Sequence, residues 1–126
     1  MINWLDRAMI LGPHICLVTS QKDYNMALRH CKQEVVGDLF IKNAQAGATL
    51  HWIDRSEKLI CIVAIRPVGP EIEGIPIAAL LVHEAVHIWQ KYCERIGEHT
   101  PSDEFMAYGI QFLSQELMYA YVKATK

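Results

Sequence analysis

Residues 80–89 read LLVHEAVHIW, with His83 and His87 four positions apart in a segment that is otherwise apolar and contains no proline or glycine. Such a segment predicts a helix, and positions i and i+4 of a helix lie above one another on the same face. Both imidazoles can therefore reach a single atom, with Glu84 close beside them. Two nitrogen ligands and a neighbouring carboxylate that can accept a proton from a bound water are typical of a catalytic zinc site.

The alternative is a pair of core histidines on a structural helix. The bare H-E-x-x-H pattern arises by chance in roughly 2% of shuffled chains of this composition, so its surroundings matter. His83, Glu84 and His87 are the only ionisable groups between residues 78 and 89. A buried helix gains nothing from three such groups unless they are paired or bind a metal. The segment therefore predicts zinc binding.

Size and composition exclude several classes of protein. A chain of 126 residues with 52% apolar residues fits one domain, residues 1–126. A net charge of −2 without a basic run predicts no nucleic-acid partner. The longest apolar run, 75–82, is too short to span a bilayer, and the first residues do not resemble an export signal, so we expect no membrane insertion and a cytoplasmic location. Nothing in the sequence indicates an oligomeric state.

The four cysteines lie at wide and irregular intervals and form no C-x-x-C pair. This spacing predicts small buried hydrophobic side chains rather than a disulfide framework or a metal cluster. His30 has no partner pattern around it, and we expect an ordinary surface or core histidine there.

Local patterns predict the elements before the metal helix. Residues 14–18 read as a buried strand, followed by a helix with Thr19 or Ser20 as N-cap that runs to about Glu34. Residues 6–9 and 38–41 are candidates for short helices. Two β-rich runs, 48–53 and 59–65, flank a polar turn and predict a β-hairpin. The second run is apolar on both faces and should be the more buried strand, whereas the first is a candidate edge strand.

Residues 66–76 contain three prolines and two glycines, so they predict a loop. The metal helix should begin near Ile75 or Pro76, since proline is tolerated in the first turn.

A catalytic zinc ion generally has three protein ligands and one open position. The metzincin pattern would place the third ligand at Cys93, but Gln90 stands where that pattern has a glycine that ends the helix. If the helix continues, residue 93 lies about 120° around the axis from His87 and cannot reach the metal. We therefore assign Cys93 to the core.

Glu104 is the better candidate for the third ligand. The preceding residues predict a helix start with Thr100 as N-cap, Pro101 in the first turn and Asp103 near the exposed amides. Glu104 begins a face that we expect to turn inward. Its further members are Ala107, Tyr108, Gln111 and Gln115.

The distance between Glu104 and the metal limits where the metal helix can end. For Glu104 to approach the metal, that helix should end near Glu94 or Arg95, with Gly97 as its C-terminal stop. Two alternatives stay open, namely Asp103 as the ligand, or Glu104 as a solvated carboxylate at the start of its helix.

The HEAVH segment, followed seventeen residues after His87 by Glu104 in EFMAY, resembles the gluzincin zinc metallopeptidases in their minimal single-domain form. The chain is also similar to small metallopeptidase-like proteins of bacteriophages and prophages. The resemblance covers about residues 48–120, and Asp103 stands where the family usually has asparagine. It implies an α+β, zincin-like domain, in which a β-hairpin or small antiparallel sheet packs on the metal helix and a C-terminal helix carries the glutamate.

The resemblance implies a zinc-dependent hydrolase that cleaves peptide bonds. His83, His87 and Glu104 would hold Zn²⁺, and Glu84 would act as general base and later as general acid. The substrate would be a peptide or protein that adds to the sheet edge near residues 50–52.

A developing oxyanion needs a further donor, and Tyr108 is the first choice because it follows Glu104 by one turn. Other candidates remain, and they are Tyr119, Tyr121 and His99.

The competing hypothesis is a catalytically silent zinc-binding interaction or assembly module, such as a phage structural or regulatory protein. Glu84 favours the enzyme, because a purely structural site has no use for a base beside its ligands.

Overall fold

The computed structural model describes residues 4–5, 12–32, 47–53, 58–65 and 74–125, with the backbone alone described for residues 47–52. These residues form a small α+β fold, which confirms the predicted class. The helices and strands follow in the order β1 (His14–Val18), α1 (Gln21–His30), β2 (Gly47–Ile53), β3 (Leu59–Ile65), α2 (Gly74–Ile96) and α3 (Asp103–Ala124). The short helices predicted at 6–9 and 38–41, the turn at 54–57 and the loop at 66–73 lie outside the described residues.

Strand β3 is apolar at every position, and all seven of its residues are buried. It is the central strand of a sheet with the order β1-β3-β2, so β2 lies at an edge, as predicted. β2 pairs with β3 in antiparallel register. The expectation of a wholly antiparallel sheet is wrong, because β1 runs parallel to β3. A parallel pair requires a crossover connection, and α1 lies within it.

The two faces of the sheet are covered by different helices. Successive side chains of a strand point to opposite faces, so alternate residues of β3 enter different clusters. Cys61 and Val63 pack in one cluster with residues of α2 and α3. Ile62 and Ala64 pack in the other cluster with residues of α1. The sheet is therefore a middle layer between α1 and the α2–α3 pair.

Most of the cysteines behave as core residues, as their spacing predicts. Cys16, Cys61 and Cys93 are buried free thiols, and Cys31 is half-buried. Burial raises the pKa of the Cys16 and Cys61 thiols to about 12, so both stay protonated at neutral pH. For Cys16 the neighbouring Cys31 and Asp23 add to the effect.

Helix α1 begins where the sequence predicts. Ser20 is the N-cap, and its hydroxyl accepts a hydrogen bond from the backbone N–H of Asp23 at 3.1 Å. The helix ends at His30, short of the expected end near Glu34. Lys32 has a positive φ of 57°, a left-handed conformation that does not continue a helix.

Helix α2 ends in a Schellman motif at Gly97, which has a φ of +77°. The Glu98 N–H donates to the Cys93 carbonyl at 2.9 Å, and the Gly97 N–H donates to the Glu94 carbonyl at 3.3 Å. Gly97 is thus the predicted stop, although α2 runs to Ile96 and does not end at Glu94 or Arg95. No helix in the described part of the chain combines the length and apolar character needed to cross a bilayer.

Helix α3 starts two residues later than the prediction implies. Its N-cap is Ser102 and not Thr100, because the Ser102 hydroxyl accepts from the Phe105 N–H at 3.3 Å. Asp103 and Glu104 then occupy the first turn, where acidic side chains interact favourably with the unpaired backbone amides.

The contact between α2 and α3 centres on Trp89. This ring is buried and meets Phe105 edge-on, with ring centroids 4.9 Å apart. Gly109 lies against the same ring so closely that a Cβ atom added to it would overlap the indole. A residue without a side chain is therefore required at this position of α3.

Gly109→Ala should lower the free energy of unfolding by about 1–2 kcal/mol, although alanine is the better helix former by about 1 kcal/mol, because overpacking against Trp89 outweighs that gain. Urea unfolding measures the change. Gly74→Ala is the matched control, since an added Cβ there has nothing within 4 Å. A stabilised Gly109→Ala variant would contradict the close contact.

Candidate metal centre

The structure brings His83 and His87 together on the solvent side of α2. Their Nε2 atoms lie 3.2 Å apart, and both side chains are exposed. The rings meet edge-on, with centroids 4.8 Å apart and an interplanar angle of 78°. The i, i+4 spacing therefore brings the two imidazoles together, as the sequence predicts, with the Nε2 atoms of both rings next to each other.

The separation of the two nitrogens fits a shared zinc ion. Two nitrogens at about 2.05 Å from a tetrahedral zinc ion are about 3.3 Å apart. The Nε2 atoms of His83 and His87 already have this spacing, at 3.2 Å. The same distance also suits a hydrogen bond from one neutral imidazole to the other, depending on the tautomer. The pair is thus suited to bind zinc, and a metal titration separates the two arrangements.

Glu84 lies between the histidines in sequence but on a different side of the helix. It is 3% exposed, and it is one of the few polar side chains in the core of the described residues. It leaves α2 roughly 100° around the axis from His83 and roughly 60° from His87. Its carboxylate therefore belongs to the buried face of the helix, while the imidazoles belong to the solvated face.

Glu104 and Tyr108, the other predicted site residues, are both exposed, and Tyr108 retains 67% of its accessible surface. The expectation that their face turns inward is wrong. The packed face of α3 contains Leu113 and Leu117, which are almost fully buried. Helical geometry places Glu104 roughly 180° from Leu113 and roughly 140° from Leu117, so it leaves α3 on the opposite side.

The histidine pair also points away from α3. Trp89 marks the side of α2 that contacts α3. His87 leaves the helix roughly 160° from Trp89, and His83 leaves it roughly 120° from Trp89. Among residues 4–5, 12–32, 47–53, 58–65 and 74–125, no three His, Cys, Asp or Glu side chains form a group that could hold a metal ion.

Within these residues the structure therefore brings two of the predicted ligands together and does not bring Glu104 to them. Glu104 and Asp103 in the first turn of α3 have the position of solvated helix-start carboxylates. The assignment of Glu104, or of Asp103 in its place, as third ligand stays a prediction.

The alternatives for an oxyanion donor differ in burial. Tyr119 and His99 are exposed, and Tyr121 is half-buried against the core. Neither Tyr108 nor these residues has a described contact with His83 or His87. The strand β2 lies at the sheet edge, but the side chains of residues 50–52 are outside the described part of the structure.

A group of polar side chains on the other face of the sheet gives no signal in the sequence. Among the described residues, Trp4, His14, His30 and Lys58 line a common cavity together with Cys31 and Ile60. They are far apart along the chain and follow no motif spacing. The parallel pairing of β1 with β3 brings His14 beside Ile60, and that pairing depends on contacts between distant residues.

Comparisons with family models, with curated proteins and with solved structures found no match for this chain. The resemblance to gluzincins therefore rests on the H-E-x-x-H segment and on Glu104 alone.

Replacing either histidine of the pair should weaken zinc binding. We expect His83→Ala and His87→Ala each to lose at least about tenfold in affinity, because even groups that only support a ligand contribute ten- to a hundredfold. Isothermal titration with zinc measures the affinity, and His99→Ala provides an exposed histidine outside the pair as control. Equal zinc affinity in the unaltered protein and in all three variants would show that the pair does not bind zinc and would favour the hydrogen-bonded arrangement.

Proposed function

We propose that this chain is a zinc-dependent hydrolase that cleaves peptide bonds, with His83 and His87 as zinc ligands and Glu84 as general base. The observation that supports this proposal best is the separation of 3.2 Å between the two Nε2 atoms on the exposed face of α2, next to a buried carboxylate. The zincin-like arrangement implied by the gluzincin resemblance belongs to the same proposal.

Each residue has one task in this function. His83 and His87, as neutral imidazoles, would each give one nitrogen to the metal, and the rigid helix fixes their spacing. Bound zinc would polarise a carbonyl group and lower the pKa of water to about 7. Glu84 would accept a proton from the attacking water and return it to the leaving amine.

Glu104 is the proposed third protein ligand. Its side chain leaves α3 away from α2, so this role requires the first turn of α3 to reorient when metal binds. Such a change would break the Ser102 cap and the contact of Phe105 with the Trp89 ring, whereas Asp103 and Glu104 themselves are exposed and free of the α2–α3 contact. Tyr108, one turn further along, would move with it and could donate to the oxyanion.

A second function, a zinc-dependent interaction module, is favoured by a different observation. Both imidazoles are exposed, and no third ligand accompanies them among the described residues. Zinc held by two protein ligands keeps two positions that groups from another molecule can fill. Such a module would bind zinc and a partner without turnover.

Glu84→Gln separates the two functions. The substitution keeps the shape of the buried side chain but removes the base, so we expect unchanged zinc affinity and a loss of peptide hydrolysis by about two orders of magnitude or more. Digestion of a peptide library by the zinc-loaded protein measures the activity. Glu94→Gln, an exposed glutamate of the same helix, is the control.

If the Glu84→Gln variant still hydrolysed peptides, Glu84 would be excluded as the general base. No hydrolysis in the unaltered zinc-loaded protein would favour the interaction module.

Glu104→Gln tests the third ligand. If Glu104 binds the metal, its zinc affinity should fall at least about tenfold, while the neighbouring Asp103→Asn control keeps the original affinity. Isothermal titration with zinc measures both. The reverse result would assign the ligand to Asp103. Unchanged affinity in both variants would show that neither carboxylate at the start of α3 binds the metal, as the interaction module requires.

A further inference from the structure

The histidine pair of α2 offers a zinc ion only half of the ligands that a closed site needs. Structural zinc sites are almost always tetrahedral, with four protein ligands. His83 and His87 supply two of them, and the described residues contain no group of three His, Cys, Asp or Glu side chains that could complete the set. Both rings are exposed on the side of α2 that points away from α3. Further ligands can therefore come from another molecule.

The surface of α2 around the pair carries no charged side chain. Glu84 is the only Asp, Glu, Lys or Arg among residues 74–90, and it is buried. The exposed side chains of this stretch include Ile75, which is 74% exposed, and Val82, which is 36% exposed. The solvent face of a helix normally has charged and polar residues. This face is therefore suited to contact with another molecule.

The absence of charge on this face favours a second copy of the chain as that molecule. In a two-fold contact the same patch lies on both sides, so a charged group near the axis would meet its own like charge. Residues 74–90 avoid this repulsion. The first charged groups further along α2 are paired with each other, with Lys91 Nζ 3.3 Å from Glu94 Oε2. The surface around the pair is thus self-complementary in charge.

Coordination geometry favours the same partner. The Nε2 atoms of His83 and His87 lie 3.2 Å apart, close to the edge of about 3.3 Å that a zinc tetrahedron has with ligands at about 2.05 Å. A tetrahedron has a two-fold axis through the metal that exchanges two opposite edges. A second copy related by this axis supplies an edge of the same length from its own histidine pair. Two copies thus provide four ligands without any other residue.

We propose that one zinc ion joins two copies of this chain, with His83 and His87 of each copy as its four ligands. The inference rests on zinc binding by the pair, which both proposed functions share, and it names the partner of the interaction module. Four imidazoles leave zinc without an open position, so the bridged ion binds neither water nor Glu104. The dimer is therefore the closed form of the site, and only a monomer could use the same pair for hydrolysis.

Sedimentation velocity of the full chain tests the bridge. The protein is first freed of metal with a chelator and is then titrated with zinc alone. We expect a monomer without zinc and a doubling of mass that is complete at one ion per two chains. X-ray absorption at the zinc edge of the same sample should count four imidazoles around each ion.

Several results would overturn the bridge. A monomer that binds one zinc ion per chain would do so while leaving the zinc-dependent functions standing. A chain that binds no zinc would remove both the bridge and the proposed functions. A dimer that persists without zinc, a dimer that forms only when zinc exceeds one ion per chain, or two imidazoles per ion would each exclude the four-histidine site.

His83→Ala and His87→Ala should each weaken zinc-dependent dimerisation at least about a hundredfold. Each substitution removes two of the four ligands, and even groups that only support a ligand contribute ten- to a hundredfold. His99→Ala, an exposed histidine outside the pair, is the matched control and should form the dimer as the unaltered chain does. Equal dimerisation in all three variants would place the contact elsewhere and overturn the inference.

Glu104→Gln separates this bridge from the hydrolytic site. The bridged ion takes no ligand from α3, so this variant should form the dimer with unchanged zinc dependence, measured by the same sedimentation experiment. A loss of the dimer in Glu104→Gln would contradict a site made of four imidazoles.

Discussion

The burial of β3 on both faces is the constraint from which the other positions follow. Seven consecutive apolar residues leave water only if both sides of the strand are covered. Helix α1 covers one side, and the α2–α3 pair covers the other. Once α2 places its apolar face on the sheet, each remaining residue takes its direction from the helical step of about 100°. His83 and His87 must then emerge toward solvent while Glu84 stays inside.

This arrangement puts two chemical environments within one helical turn. The imidazoles are accessible to molecules from outside, and the adjacent carboxylate is shielded from water. Hydrolysis and partner binding both need an accessible metal, so the exposed pair is compatible with either. Only hydrolysis needs a proton acceptor beside it. The position of Glu84 on the buried face of α2, one residue from His83 and three from His87, is therefore the feature on which the enzymatic proposal depends.

Local patterns in the sequence predicted what depends on near neighbours. The three strands, the Ser20 cap, the Gly97 stop and the convergence of the histidines all follow from spacings of a few residues. Features that depend on distant contacts were not predictable. The parallel pairing of β1 joins segments more than forty residues apart. The predicted cap of α3, Thr100, is wrong because Ser102 takes that position, and serine and threonine are both favoured at an N-cap. The direction of Glu104 depends on how α3 packs.

The close approach of Gly109 to the Trp89 ring sets the rotation of α3 about its own axis. Glu104 lies roughly 140° from Gly109 on that axis, so a rigid turn that swings the carboxylate toward α2 carries the glycine off the indole. Capture of a cation by Glu104 would then either unwind the first turn, which withdraws Phe105 from one edge of the ring, or turn the whole helix, which also moves Gly109 away and admits water to the ring face. Because indole emission depends on solvent polarity, Trp89 is placed to report which of these two motions accompanies loading.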